Sequence, residues 1–266
     1  MSTYIGKNIR LERIINRKTK KTIIIPMDHG LTVGPLPGLE DLGKMVDLVA
    51  NGGANAVLGH IGLPIYGHRG YGRDVGLILH LSGSTAYSTE KDNKVLVNTV
   101  EEALRVGADA ASIHINIGGA QDAQMLEILG NVSRDCRKWG MPLLAMMYPR
   151  GENITNPNDV ELVKTVARIG AELGVDIVKT NWTGDIDSFK EVVKGCPAPI
   201  LVAGGEVTSP KDVFQVTKDA MDAGAKGVAY GRNVFQAENP TAFTKVLCYI
   251  VHKDYEVEEA IKAADF

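Results

Sequence analysis

Three side chains in this sequence stand where short apolar runs end, and their types handle carbonyl chemistry together: Lys179, Asp28 and Tyr148. Lys179 closes Val175-Asp176-Ile177-Val178-Lys179-Thr180 and shares strand parity with Ile177, so it is expected to point where a core residue points. Lysine is almost never buried without a reason. Partial desolvation disfavours an ammonium and leaves a nucleophilic amine, which condenses with a ketone to a Schiff base. The protonated Schiff base is an electron sink for carbon–carbon cleavage. Such chemistry needs a proton acceptor and a weak acid beside the amine. Asp28 and Tyr148 supply those two types at the ends of two other runs. Singly, each of the three has a plainer reading: a solvated rim lysine, a turn aspartate before Gly30, a rim aromatic followed by Pro149. Their occurrence together favours the chemical one.

Two further runs end in glycine, Val202-Ala203-Gly204-Gly205 and Tyr230-Gly231-Arg232-Asn233. Glycines let backbone N–H groups approach an anion closely, a following helix aims its positive end at it, and Arg232 adds a charge. Gly204, Gly205, Gly231, Arg232 and Asn233 are therefore read as a phosphate-binding pair of loops. His29, His60, His80 and His114 offer a competing chemistry, a zinc-dependent aldolase. No two of them stand in HxH or HxxxH spacing, and strand-end histidines are more often satisfied polar residues, so no metal is expected. The three cysteines, Cys136, Cys196 and Cys248, form no CxxC pair, which argues against a zinc cluster or a disulfide framework. A third possibility is a barrel that binds phosphates without catalysis.

These residues must be positioned by the elements that carry them. Eight nearly continuous apolar runs read as buried parallel strands: Thr22–Asp28, Asn55–His60, Gly76–Leu81, Ala110–Ile115, Pro142–Tyr148, Asp176–Thr180, Pro199–Ala203 and Gly227–Tyr230. Helical-period segments alternate with them: Asp41–Ala50, Lys94–Val106, Asp122–Trp139, Asp159–Leu173, Ile186–Val193, Lys211–Ala223 and Thr241–His252. Gly107, Gly174 and Gly224 read as left-handed helix ends, and Ser209-Pro210 and Asn239-Pro240 as helix starts. The pattern predicts one (β/α)8 barrel domain over residues 1–266, with an extra N-terminal helix within Met1–Lys21 covering the barrel bottom. A doubly wound open sheet is the alternative; eight strands and the absence of GxGxxG after the first favour the barrel. Gly62–Asp74 is read as a loop, and its arginines Arg69 and Arg73 could close over an anionic substrate or serve an interface. With 29 Lys+Arg against 32 Asp+Glu in 266 residues, the net charge of −3 gives no footprint for nucleic acid or an anionic membrane. No apolar run has spanning length, and the basic N-terminus lacks the apolar core of a secretory signal, so a cytoplasmic protein is expected.

At Pro26-Met27-Asp28-His29-Gly30, Tyr148-Pro149-Arg150-Gly151 and Val178-Lys179-Thr180 the chain resembles the archaeal-type class I aldolases. The similarity is closest to their 2-amino-3,7-dideoxy-D-threo-hept-6-ulosonate (ADH) synthase branch and extends over nearly the whole chain. It implies Lys179 as the Schiff-base lysine, Asp28 as proton acceptor and Tyr148 as proton donor. Substrate would be held at Asp28, His29, Gly30, Leu31 and Thr32, at Tyr148, Pro149 and Arg150, and at Lys179, Gly204, Gly205, Arg232 and Asn233. The implied reaction is a transaldol transfer. Lys179 attacks a ketone of 6-deoxy-5-ketofructose 1-phosphate, retro-aldol cleavage expels hydroxypyruvaldehyde phosphate, and the retained enamine adds to L-aspartate semialdehyde. The product would feed 3-dehydroquinate and aromatic amino-acid synthesis. Neither metal nor organic cofactor is implied, and a homo-oligomer is. Two stretches depart from the family pattern: Glu206-Val207 stands where Pro-Lys is usual, and Leu31–Pro35 replaces small polar residues. Both mark places where donor or acceptor could differ. The alternatives are condensation of dihydroxyacetone phosphate with L-aspartate semialdehyde, for aminohydroxybenzoate synthesis, and cleavage of fructose 1,6-bisphosphate.

Overall fold

Runs such as Ile23-Ile24-Ile25, in which every residue is fully buried, need cover on both strand faces, and the chain provides it by closing the sheet on itself. The computed structural model describes residues 2–67, 70 and 73–266. Its eight barrel strands are β1 (Thr22–Pro26), β2 (Ala56–Gly59), β3 (Gly76–His80), β4 (Ala110–Ile117), β5 (Leu143–Pro149), β6 (Ile177–Thr180), β7 (Ile200–Ala203) and β8 (Gly227–Ala229). All pair in parallel with their sequence neighbours, and β8 returns to β1, with Thr22 opposite Gly227. One strand parity points inward: Ile24, Leu58, Ile78, Leu144, Ile177 and Leu201 pack together inside the barrel. The other parity, including Ile23, Ile25, Val57, Val178 and Val202, packs in the larger core shared with the helices.

The helices are α1 (Ser2–Ile14), α2 (His29–Val33), α3 (Leu42–Gly52), α4 (Gly62–Tyr66), α5 (Val100–Arg105), α6 (Asp122–Trp139), α7 (Val160–Glu172), α8 (Ile186–Gly195), α9 (Pro210–Asp222), α10 (Arg232–Phe235), α11 (Pro240–Lys253) and α12 (Val257–Ala264). Helix α1 closes the barrel bottom. Its Ile14 is fully buried in the inner cluster and its carbonyl accepts from Thr22 Oγ1 at 2.5 Å. Lys7 and Arg13 pair with Asp176 and Asp109, which precede β6 and β4. The expected helix ends hold: Gly107, Gly174 and Gly224 have φ of +73, +85 and +100°. Ser209 and Asn239 cap α9 and α11, accepting from the N–H groups of Asp212 and Ala242.

Two expectations need correction. The helix read over Lys94–Val106 is only Val100–Arg105, because Thr99 and Glu102 form a reciprocal capping box that starts it there. Ahead of it, Val95–Leu96 pairs antiparallel with Ser82–Gly83, which leaves Lys94 at the barrel mouth instead of on an outer helix. The stretch read as a loop from Gly62 begins with the helical turn α4. Of its two arginines, Arg69 lies outside the described residues, as do His68, Tyr71 and Gly72. Arg73 donates to the carbonyls of Ala50 and Ala54, so it braces the α3–β2 turn and does not reach toward a substrate.

Candidate active site

The inward parity brings polar residues to the C-terminal end of the barrel, the end where such barrels carry their chemistry. Lys179 follows Ile177 inward, stands opposite Met146 of β5 and Leu201 of β7, and is 8% exposed. Its neighbour Thr180 takes the opposite parity and donates to the Met147 carbonyl at 2.8 Å. Asp28 leaves β1 and begins α2; its Oδ2 lies 3.8 Å from His80 Nε2 and its Oδ1 3.7 Å from His29 Nδ1. The charge of Lys179 acts on Asp28, His29 and His80, so the amine and the carboxylate share one enclosed field. Tyr148 is buried on β5, its ring edge-on to His114 at 5.0 Å with the Arg150 guanidinium 5.6 Å from its centroid.

Burial works against ionisation of Asp28, but in the acid range, where the imidazoles are protonated, the charges of His80 and His29, with those of Lys179 and His60, outweigh it and hold the carboxyl far below its ordinary range. Burial drives the imidazoles the other way. His80, whose Nδ1 lies 2.7 Å from Ser112 Oγ, is lowered to about 4 by burial despite the attraction of Asp28. His29, His60 and His114 are lowered too, each chiefly by burial. At neutral pH the mouth therefore holds uncharged imidazoles around an ionised carboxylate. An unfolded imidazole titrates near 6.5 and the folded His80 near 4, so between those values unfolding takes up a proton. Stability is expected to fall as pH drops through that window, by roughly 1.4 kcal/mol per pH unit for each imidazole of this kind. Asp28 adds to the loss only below the ordinary carboxylate range. Thermal melts from pH 7 to pH 4 check this, and a flat Tm contradicts it.

The histidines do not assemble as a ligand set. His60 and His80 have ring centroids 5.1 Å apart, but His80 Nδ1 is engaged by Ser112 and His114 Nε2 meets Asn116 Oδ1 at 2.9 Å. Among the described residues no three His, Cys, Asp or Glu side chains gather as a metal site.

The glycine loops after β7 and β8 meet as expected, but one of their side chains is not free for an anion. Asn233 Nδ2 donates to the carbonyls of Gly204 and Glu206, each at 3.0 Å, and its Oδ1 accepts from Thr208 N–H. The Asn233 side chain thus staples the two loops, and only its backbone N–H is left to meet a phosphate. Arg232 Nη2 donates to Gly205 O at 2.8 Å. Gly231 is demanded by close approach, since a Cβ there would lie 2.5 Å from His29 Cε1. Asn233→Ala is expected to destabilise the fold by about 1 kcal/mol, the loss of hydrogen bonds to loop groups that water can still reach, as a denaturant titration would read.

Of the other expected contact residues, Gly30 and Leu31 line a hollow of about 620 Å³ together with Asp28 and His60. Leu31 leans over Gly83. Thr32 accepts the Ala86 N–H, and Pro149 ends β5 opposite Ile117. Arg150 points along the β4 side, 3.8 Å from Asp92. Sequence reasoning missed Ser112, Asn116 and above all Lys94, which is 6% exposed at the same mouth. The Thr99-x-x-Glu102 capping signal, which starts the helix only after Lys94, is the clue that points to it.

A closed parallel barrel with an inward lysine, an ionised carboxylate and a phenol at one mouth has the parts a Schiff-base aldolase requires. The chain belongs to the DeoC/LacD aldolase family, whose description, "DeoC/LacD family aldolase", matches residues 22–237. It is 41% identical over 263 residues to 2-amino-3,7-dideoxy-D-threo-hept-6-ulosonate synthase 1 of Archaeoglobus fulgidus, covering 98% of this chain and 97% of that one. It is 36% identical over 248 residues to a 2-amino-4,5-dihydroxy-6-oxo-7-(phosphonooxy)heptanoate synthase of Streptomyces griseus, covering 93% and 90%. Among solved structures it superposes on an archaeal fructose-1,6-bisphosphate aldolase whose catalytic lysine is bound to the carbinolamine intermediate, with a TM-score of 0.84, 32% identity and coverage of 92% and 99%. The protein is a class I, Schiff-base type of aldolase.

Proposed function

We propose that this enzyme is an ADH synthase-like transaldolase in which Lys179 carries the substrate. The amine adds to a ketone of 6-deoxy-5-ketofructose 1-phosphate, and loss of water gives the iminium. Asp28 accepts the hydroxyl proton as the adjacent Cα–Cβ bond breaks, the electron pair passes into the iminium, and hydroxypyruvaldehyde phosphate leaves. The resulting enamine attacks the aldehyde carbon of L-aspartate semialdehyde. Tyr148 donates the proton that the new alkoxide takes up, and hydrolysis frees the lysine and ADH, a precursor for 3-dehydroquinate and aromatic amino acids. The backbone N–H groups of Gly204, Gly205, Gly231 and Asn233, with Arg232, hold the phosphate. A cytoplasmic homo-oligomer completes the reading.

The observation that carries it is the inward, buried Lys179 whose charge acts on Asp28. Full-length similarity to the archaeal synthase supports the choice of substrates. The Streptomyces relative and the Glu206-Val207 departure support a second reading, in which dihydroxyacetone phosphate is the donor to the same acceptor. A panel of the two donors and fructose 1,6-bisphosphate, each with and without aspartate semialdehyde and read by product mass, separates them. ADH from the deoxyketofructose phosphate is expected. A phosphorylated heptanoate from dihydroxyacetone phosphate selects the second reading, and triose phosphates from fructose 1,6-bisphosphate alone contradict both.

A further inference from the structure

The hollow of about 620 Å³ that Asp28 lines has walls unsuited to a charged substrate. Leu31, Leu36, Leu39, Ile61, Leu63 and Val97 all line it. Leu31 and Val97 are 40% and 47% exposed, large apolar side chains left uncovered beside the barrel mouth. The polar side chains of the lining are few, and two of them are already engaged. Asn98 Nδ2 donates to the His80 carbonyl at 3.0 Å, and Glu40 accepts the Gly38 N–H at 2.7 Å. Asp28 and His60 are the others. Among the described residues no lysine or arginine lines the hollow. A phosphate or a carboxylate would find no counter-ion there, and the carboxylates of Asp28 and Glu40 would repel it. An uncharged, apolar group meets neither cost.

Position in the barrel ties the hollow to the reaction. Asp28 and His60 follow the ends of β1 and β2. Asp28 keeps the parity of Ile24, which packs in the inner cluster with Ile177, two residues before Lys179. Most of the apolar lining comes from α2, the segment after it and α4, the connections that leave β1 and β2. The hollow therefore runs outward from Asp28 on the β2 side of β1, away from the glycine loops of β7 and β8. Resting on the aldolase reading above, we infer that this hollow is a subsite for the chain of an apolar aldehyde, and that the enzyme adds a ketone donor to unbranched aliphatic aldehydes as well as to a charged acceptor. With hydroxyacetone as donor, Lys179 condenses with the ketone and water leaves. Loss of a proton from the hydroxyl-bearing carbon gives the enamine. That carbon bonds to the aldehyde carbon, the carbonyl electron pair passes to the aldehyde oxygen, and the oxygen takes up a proton. Water then frees the lysine and a methyl ketone with two adjacent hydroxyls. With the aldehyde group beside Asp28, the alkyl chain lies along Leu36 and Ile61, and each methylene that leaves water strengthens binding.

The test is a series of straight-chain aldehydes from propanal to hexanal, with hydroxyacetone as donor, in wild type, Leu36→Asn and Ile61→Asn. In wild type kcat/KM is expected to rise about two- to fourfold for each added methylene, the contribution of a methylene moved out of water. The slope should flatten in both variants, while kcat/KM for aspartate semialdehyde stays unchanged. Hexanol, which has the chain without the aldehyde, should compete with hexanal in wild type, a readout that needs no variant. Borohydride trapping with hydroxyacetone alone, which does not call on the hollow, should add mass at Lys179 in all three proteins. If wild type is not trapped, the aldolase reading itself has failed and the inference falls with it. If it is trapped but kcat/KM stays flat or falls along the series, the hollow takes no chain and the inference alone is overturned. A slope that persists in both variants, or hexanal addition that hexanol does not slow, places the chain elsewhere and overturns it too.

Discussion

Lys179→Ala is expected to lose at least about 10⁴-fold in turnover while keeping its fold, because the amine is the covalent nucleophile and nothing else on β6 can replace it. Lys179→Arg should be as inactive. A guanidinium stays protonated and cannot condense with a ketone, although it restores the charge felt by Asp28, His29 and His80. The arginine variant therefore separates the two things a lysine does here, covalent attachment and electrostatics. Both variants should remain folded, since the inner cluster around Ile177, Leu144 and Leu201 does not depend on the amine. Turnover near wild type in either, measured by product mass, contradicts the assignment.

The second large effect concerns the proton carriers. Asp28→Asn and Tyr148→Phe should each lower kcat by about 10²–10⁴, the usual range for a positioned acid or base. The aspartate must be an acceptor, and its carboxyl lies far enough below the ordinary range to be ionised at working pH. Asparagine keeps the shape and loses the basicity. Phenylalanine at 148 keeps the edge-on contact with His114 and loses only the phenol proton. Unchanged kcat in both variants would remove Asp28 and Tyr148 from the proton path.

Much of this was legible in the sequence because parallel strands in a closed barrel are apolar on both faces, so they read as unbroken runs. The parity of Lys179 with Ile177 was enough to turn its side chain inward. What was not legible arises from register and from short turns. The contact of His80 with Ser112 joins residues that β3 and β4 bring side by side, and nothing in their sequence spacing announces it. Helices α2 and α10 hold five and four residues, too few to show a period. Asn233 has the position of a phosphate ligand, but its amide reaches back to the carbonyls of the neighbouring loop, a choice set by how β7 and β8 end together. Lys94 was lost in an overlong helix because Val95–Val97 and the following Glu101-Glu102 blur strand and helix preferences.

The most direct measurement is borohydride reduction of the enzyme in the presence of the phosphorylated ketose, followed by peptide mass analysis. One substrate-derived adduct on the peptide bearing Lys179, with parallel loss of activity, is the predicted result. An enzyme that turns the ketose over yet carries no adduct, or carries it on another lysine, would contradict the account.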